Sequence, residues 1–391
     1  MTRGNGGARG GGGAHGHVAG RGERWGVGGR PGGGAASAGA GPLGAEALGA
    51  RAARGETRED DGARVRYAVV VPTIGRACLR DCLAALDASA GPAPEQVVVV
   101  DDRAGDPMPL EVPAVGGRPV TVLRSGGRGP AAARNTGFAA TGTPWVVFLD
   151  DDVRVGAEWA GLLAEDLREA GPRTAGVQGV LRVPLPADRA PTDWERGTAG
   201  LEDAAWATAD MAYRAEALRA VAGFDERFPR AFREDADLAL RIAAAGWELR
   251  RGHRRTLHPV RPADRWVSVR AQRGNADDAL MVRLHGGDWW KRAPAPRGRL
   301  RRHLAVSAAA LAAPLCALAG RRRAAAGAAA VWALGTAEFA WARLRPGPLD
   351  RTEVVTMLAT STVIPPLAVG HRLVGRVRHR AAGPWTGEVA A

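Results

Sequence analysis

Three apolar runs that end on proline or aspartate constrain this chain more than any other feature. Tyr67-Ala-Val-Val-Val-Pro72 is the first, Gln96-Val-Val-Val-Val100 stops at Asp101-Asp102, and Trp145-Val-Val-Phe-Leu149 runs into Asp150-Asp151-Asp152. None alternates apolar with polar, so each is expected to be a strand buried on both faces, as in a parallel sheet covered by helices. A further strand is expected over Pro119–Leu123 and another over Gly176–Val183. Between them lie helical patterns: Leu79–Ala90 with apolar Leu79, Cys82, Leu83 and Leu86, a helix after the Gly-rich turn Ser125–Pro130, then Glu158–Ala170, Ala215–Val221 and Glu234–Ala245. Strand–helix alternation of this kind defines an α/β, mainly parallel, Rossmann-like sheet with flanking helices.

Composition enters as a limit on what surrounds that sheet. The first 50 residues hold 20 of the 54 glycines without a G-X-Y period, so 1–63 is expected to be a disordered Gly/Ala/Arg-rich tail, and collagen is excluded. Three cysteines are too few for a disulfide framework and lack a metal-ligand pattern. The net charge of +13 is local: residues 291–391 carry 16 Lys+Arg against 4 Asp+Glu, beside apolar runs. That arrangement points to anionic membrane lipid and not to nucleic acid, for which no reader motif is present. The start lacks a charged and then apolar leader, so secretion by signal peptide is not expected.

The acidic groups carry the chemistry. Ligands of open α/β sheets bind beyond the C-terminal ends of the strands, where both Asp101-Asp102 and the triplet 150–152 fall. Three adjacent carboxylates repel unless a cation neutralises them, and hard oxygen ligands suit Mn²⁺ or Mg²⁺; a solvated acidic turn is the other reading. Gly126–Gly137 brings Arg128 and Arg134 toward the same edge, either to meet phosphate or as surface arginines on a plain turn. Phe232-Arg-Glu-Asp-Ala-Asp237 opens a helix, where acids complement the dipole or supply a proton acceptor.

Taken in order, Val69-Val-Val-Pro-Thr73, Val98-Val-Val-Asp-Asp102, Gly129-x4-Arg134-Asn-x-Gly137, Phe148-Leu-Asp-Asp-Asp152, Gly223-Phe-Asp-Glu226 and Glu234-Asp-x-Asp-Leu-x-x-Arg241 resemble a bacterial family 2 glycosyltransferase of the GT-A fold, over about residues 66–260. The resemblance implies a nucleotide-sugar donor bound by Thr73, Arg76, Asp101, Asp102, Arg128, Arg134, Asp150 and Asp151. It implies a Mn²⁺ or Mg²⁺ ion held by Asp152 and Asp150 as the family's DxD motif, with Asp152 the direct ligand. Asp235 takes the role of catalytic base, Glu234 positions acceptor or base, and Asp237 and Arg241 brace the helix. Transfer would be inverting, to a hydroxyl of a glycan or lipid-linked acceptor. The chain departs from the pattern at Asp210, where relatives often carry Asn or a small residue.

The expected organisation is a tail at 1–63, a catalytic domain at 64–262, an interfacial or acceptor-side segment at 263–300 with Trp289-Trp290, a hydrophobic helical region at 301–380 and a tail at 381–391. Three apolar stretches, Leu304–Ala319, Ala324–Ala342 and Val354–Val369, alternate with arginine clusters. Letting the first lie in the interface and the other two span keeps the clusters on one side, which places the catalytic domain on the cytosolic face of the bacterial inner membrane. A soluble Ala-rich appendage competes with that reading. Against the transferase stand a nucleotidyltransferase of sugar phosphates and a non-enzymatic basic membrane adaptor.

Overall fold

The computed structural model describes residues 65–387; the expected tail at 1–63 lies outside them. The elements in chain order are β1 (Tyr67–Thr73), α1 (Cys78–Asp87), β2 (Gln96–Asp101), β3 (Thr121–Arg124), α2 (Pro130–Ala139), β4 (Trp145–Leu149), β5 (Arg154–Val155), α3 (Trp159–Arg168), β6 (Thr174–Arg182), α4 (Asp193–Ala199), β7 (Asp210–Arg214), α5 (Ala215–Ala220), α6 (Glu234–Ala244) and β8 (Glu248–Leu257). Six further α-helices follow: α7 (Val267–Arg270), α8 (Gly274–His285), α9 (Trp289–Arg292), α10 (Leu300–Leu318), α11 (Arg322–Leu344) and α12 (Arg351–Arg378).

The sheet has eight strands in the order β3-β2-β1-β4-β7-β6-β8-β5. Its first four strands are parallel, with Val70 opposite Val98 and Phe148. From β4 the sheet continues as a mixed one: β7 runs antiparallel to β4 and β6, and β8 parallel to β6. The sheet with flanking helices is thus as expected, with its parallel half where the apolar runs lie.

Those runs lack alternation because consecutive side chains enter different cores. Val69, Val71, Val97, Val99, Val147 and Leu149 pack with Leu83, Trp159 and Leu163 on one face. Val70, Val98, Val100, Val146 and Phe148 pack with Ala131, Ala133, Leu218, Leu238 and Ile242 on the other. Gly137 lets α2 lie directly on β1, since a Cβ there would collide with Val70 Cγ1. A third cluster joins α6, α8 and α9 through Phe228, Leu240, Leu280, Met281 and Trp289. Trp289 is therefore core, and the expectation of a Trp pair at a membrane interface does not describe it.

The C-terminal helices pack on one another and on α8. Arg343 of α11 fastens them to the sheet domain, donating to Asp193 (2.8 Å), Ser268 (3.0 Å), Thr360 (2.8 Å) and Ser361 (3.0 Å). Among the described residues one helix, α12, is long and apolar enough to cross a membrane. The second stretch, expected to span, forms α11, whose Glu338 pairs with Arg299 and Arg302.

Candidate active site

The C-terminal ends of β1, β2 and β4 lie on one edge, since Thr73 pairs with Asp101 and β4 runs parallel beside β1. Asp151 ties two of these ends together: Thr73 Oγ1 donates to one carboxylate oxygen at 2.6 Å and Arg76 Nη1 to the other at 2.8 Å. Both oxygens of Asp151 are thus engaged within the protein. Asp101 is gripped by the Arg103 guanidinium at 2.7 and 2.8 Å, which holds its carboxyl below the usual range. Asp102 accepts from Ser125 Oγ (2.7 Å) and from the Gly129 amide (2.9 Å), fixing the loop that opens α2. Gly129 has a φ of 101°, a conformation glycine adopts without strain. Arg128 reaches Ser125 O and Glu226, half-exposed beside that loop.

Arg134 joins β4 to α6. Its buried guanidinium donates to Asp150 at 2.8 Å and to Glu234 at 2.9 Å, with the Phe224 ring 5.5 Å away. Its neighbour Asn135 donates to Phe224 O (2.9 Å) and Glu226 (3.1 Å) and accepts from the Phe224 amide. Arg241 donates to Asp237 and to the carbonyls of Val221 and Gly223. The sequence motifs around 134, 223 and 234 therefore interlock as one assembly that presents the first turn of α6 to the end of β4.

Burial governs the carboxyls there. It pushes Glu234 up to about 8, assisted by the neighbouring Asp235 charge, although Arg134 pulls the other way. One guanidinium serves two carboxylates, so its attraction does not cancel the desolvation of Glu234. Asp235 is also raised, by burial first. Arg233, the residue before them, sits at φ 79° and is held by Asp278 (2.9 Å) and between the Phe232 and Trp289 rings. A non-glycine residue at positive φ is a strained conformation kept by its surroundings.

Asp150, Asp152 and His258 form the candidate metal centre: one ligand atom from each lies within 4.8 Å of the others. The donor set fits a divalent cation. His258 Nδ1 is buried without a hydrogen-bond partner, and burial beside Asp150 raises the Asp152 carboxyl, as expected where positive charge is short. His258 Nε2 stands 3.7 Å from Asp152, and the half-exposed Arg261 forms an ion pair with Asp152 at 2.9 Å. Nothing in the sequence pattern marks His258 or Arg261 as part of the site. Both follow the end of β8, a strand too charged to register as one.

Asp210, the departure from the motif pattern, is turned away from this rim. Fully buried, it accepts from Trp159 Nε1 (2.8 Å), Thr256 Oγ1 (2.6 Å) and Arg254 Nε (2.9 Å), binding β7 to α3 and β8.

Residues 68–210 match the family described as glycosyl transferase family 2. A curated relative, the pre-mycofactocin glycosyltransferase of Mycobacterium tuberculosis, is 30% identical over 213 residues, covering 48% of this chain and 43% of that protein. The chain thus matches less than half the length of that relative. Among solved structures, the mannosyltransferase PcManGT from Pyrobaculum calidifontis in complex with GDP-Man and Mn²⁺ superposes with a TM-score of 0.47 at 20% identity, covering 79% of this chain and 87% of that one. Residues 1–349 of S. aureus TarS in complex with UDP give 0.35 at 16% identity, covering 57% and 68%.

Proposed function

We propose that this chain transfers a sugar from a nucleoside-diphosphate donor to a hydroxyl acceptor, with inversion, using Mn²⁺ or Mg²⁺. The observation that carries the reading is the Arg134 bridge, whose two terminal guanidinium nitrogens hold Asp150 and Glu234. Asp150, Asp152 and His258 would hold the cation, which when bound neutralises negative charge on the diphosphate leaving group. Thr73, Arg76, Asp101, Asp102 and Arg128 form the donor side of the rim, with Asp151 as the tether that keeps Thr73 and Arg76 in place. Asp235 takes the proton from the acceptor hydroxyl, and its raised pKa makes it a better base than a free aspartate. Glu234, locked on Arg134, holds the first turn of α6 in register with Asp150.

The exposed Leu311, Leu315, Leu318, Leu334 and Trp341 of α10 and α11, the length of α12 and the basic C-terminal third support association with an anionic membrane surface. A lipid-linked or surface glycan acceptor follows from that location. The test is release of nucleoside diphosphate from UDP-, GDP- and dTDP-sugars with Mn²⁺. Asp152→Ala and Asp235→Asn are expected to abolish transfer while the melting temperature stays near that of the wild type. Wild-type turnover in either variant would refute the assignment.

A further inference from the structure

A cleft of about 550 Å³ lies between α8 and α12. Ala279, Val282 and Arg283 of α8 line it, with Arg372 and Arg376 of α12 and with Ala382 and Pro384 beyond that helix. Its walls are set by close packing: Gly375 is so near α8 that a Cβ would collide with the Ala276 backbone, and the Trp385 amide donates to Leu284 O at 3.1 Å.

Three guanidinium groups thus line one cleft whose described walls hold no acidic side chain. Arg372 is 14% exposed, and its Nε is buried without a hydrogen-bond partner. The nearest carboxylate, Asp278, stands 4.0 Å away and already accepts from Arg233 at 2.9 Å. Among the described residues, Arg283 and Arg376 have no hydrogen-bond or ion-pair partner. Arg372 and Arg376 are four residues apart on one helix, where like charges repel. Such a cluster calls for an anion, and planar guanidinium forks match phosphate oxygens in pairs. The remaining walls are apolar, which suits a phosphate with an apolar substituent better than a free ion.

We infer that this cleft binds the phosphate ester of a membrane lipid. The inference deepens the membrane-surface part of the proposed function and is independent of the transfer reaction. Asp278 also connects the cleft to the site, since it holds Arg233, the residue before Glu234.

The test measures calorimetric affinity of the full chain for dihexanoyl phosphatidic acid and for inorganic phosphate, and co-sedimentation with phosphatidylcholine vesicles with or without phosphatidylglycerol. The double variant Arg372→Gln/Arg376→Gln is expected to weaken phosphatidate binding about tenfold or more, and the exposed Arg283→Gln to weaken it less. Arg372→Lys, which keeps the charge, should restore part of the loss if the double variant is folded. Unchanged phosphatidate affinity in both glutamine variants would overturn the inference. Equal affinity for inorganic phosphate would overturn the lipid source. Wild type and double variant binding phosphatidylglycerol vesicles equally would remove the cleft and leave the membrane reading standing. Arg-dependent phosphatidate binding without vesicle binding would keep the cleft and end that reading.

Discussion

Arg134 is the residue on which the site geometry turns, because both of its carboxylate partners come from other elements. Replacing it by Met takes away the donor that Asp150 and Glu234 share and leaves the Glu234 carboxyl buried and unsatisfied, which costs about 1–3 kcal/mol. Arg134→Met is expected to lower the thermal midpoint and to abolish transfer, as read by calorimetry and donor turnover. Glu234 also predicts a pH dependence. Its folded pKa, about 8, lies above its unfolded value of about 4.5, so the folded state holds the proton more tightly. The resulting stabilisation is complete below the unfolded value and is lost as pH rises through the folded one. Chemical denaturation from pH 5 to 9 should therefore show stability falling toward about pH 8, and Glu234→Gln should flatten that slope. Asp235 shifts the same way, so the acid limb of kcat/KM is expected above the range of a free carboxylate. A limb at the free aspartate value would remove Asp235 from the base role. Sequence made these acids visible as a cluster, but it could not show that Asp151 is a tether or that Asp210 belongs to a buried network with Arg254 and Trp159.

Among the elements, α2 is placed by a single missing methyl. Gly137→Ala gains about 1 kcal/mol of helix propensity but forces overpacking against Val70, which costs about 1–3 kcal/mol. The net expectation is a lower melting temperature, with recovery in the double variant that also carries Val70→Ala. β1, β2 and β4 were legible because both faces of each are buried, which leaves an unbroken apolar signature. β8 was not. Its sequence, Glu-Leu-Arg-Arg-Gly-His-Arg-Arg-Thr-Leu, buries Arg254 and Thr256 on Asp210 and leaves most of the strand exposed, so polar partners and not apolar burial define it. His258 was hidden for the same reason: nothing marked the strand that delivers it to Asp152. β5, two residues long, is too short to show any period.

Over the whole molecule, the buried cation Arg343 helps fix the C-terminal helices to the sheet domain, together with Glu353, which accepts from the Asp193 amide at 2.8 Å. Arg343→Met should reduce hydrogen-exchange protection in α11 and α12 while β1, β2 and β4 keep theirs. Uniform loss across the chain would mean that the two parts unfold as one. The basic excess of the C-terminal third was plain in the sequence, but the cleft that gathers Arg283, Arg372 and Arg376 depends on the packing of α8 against α12, which no local pattern encodes. The central claim is that acids from the end of β4 and a histidine after β8 form one cation centre at the donor rim. Mn²⁺ titration followed by electron paramagnetic resonance, with a nucleoside diphosphate present, tests it most directly. Binding should be lost in Asp152→Ala, weakened in His258→Ala and kept in Asp235→Asn; Mn²⁺ affinity unchanged in both Asp152→Ala and His258→Ala would contradict it.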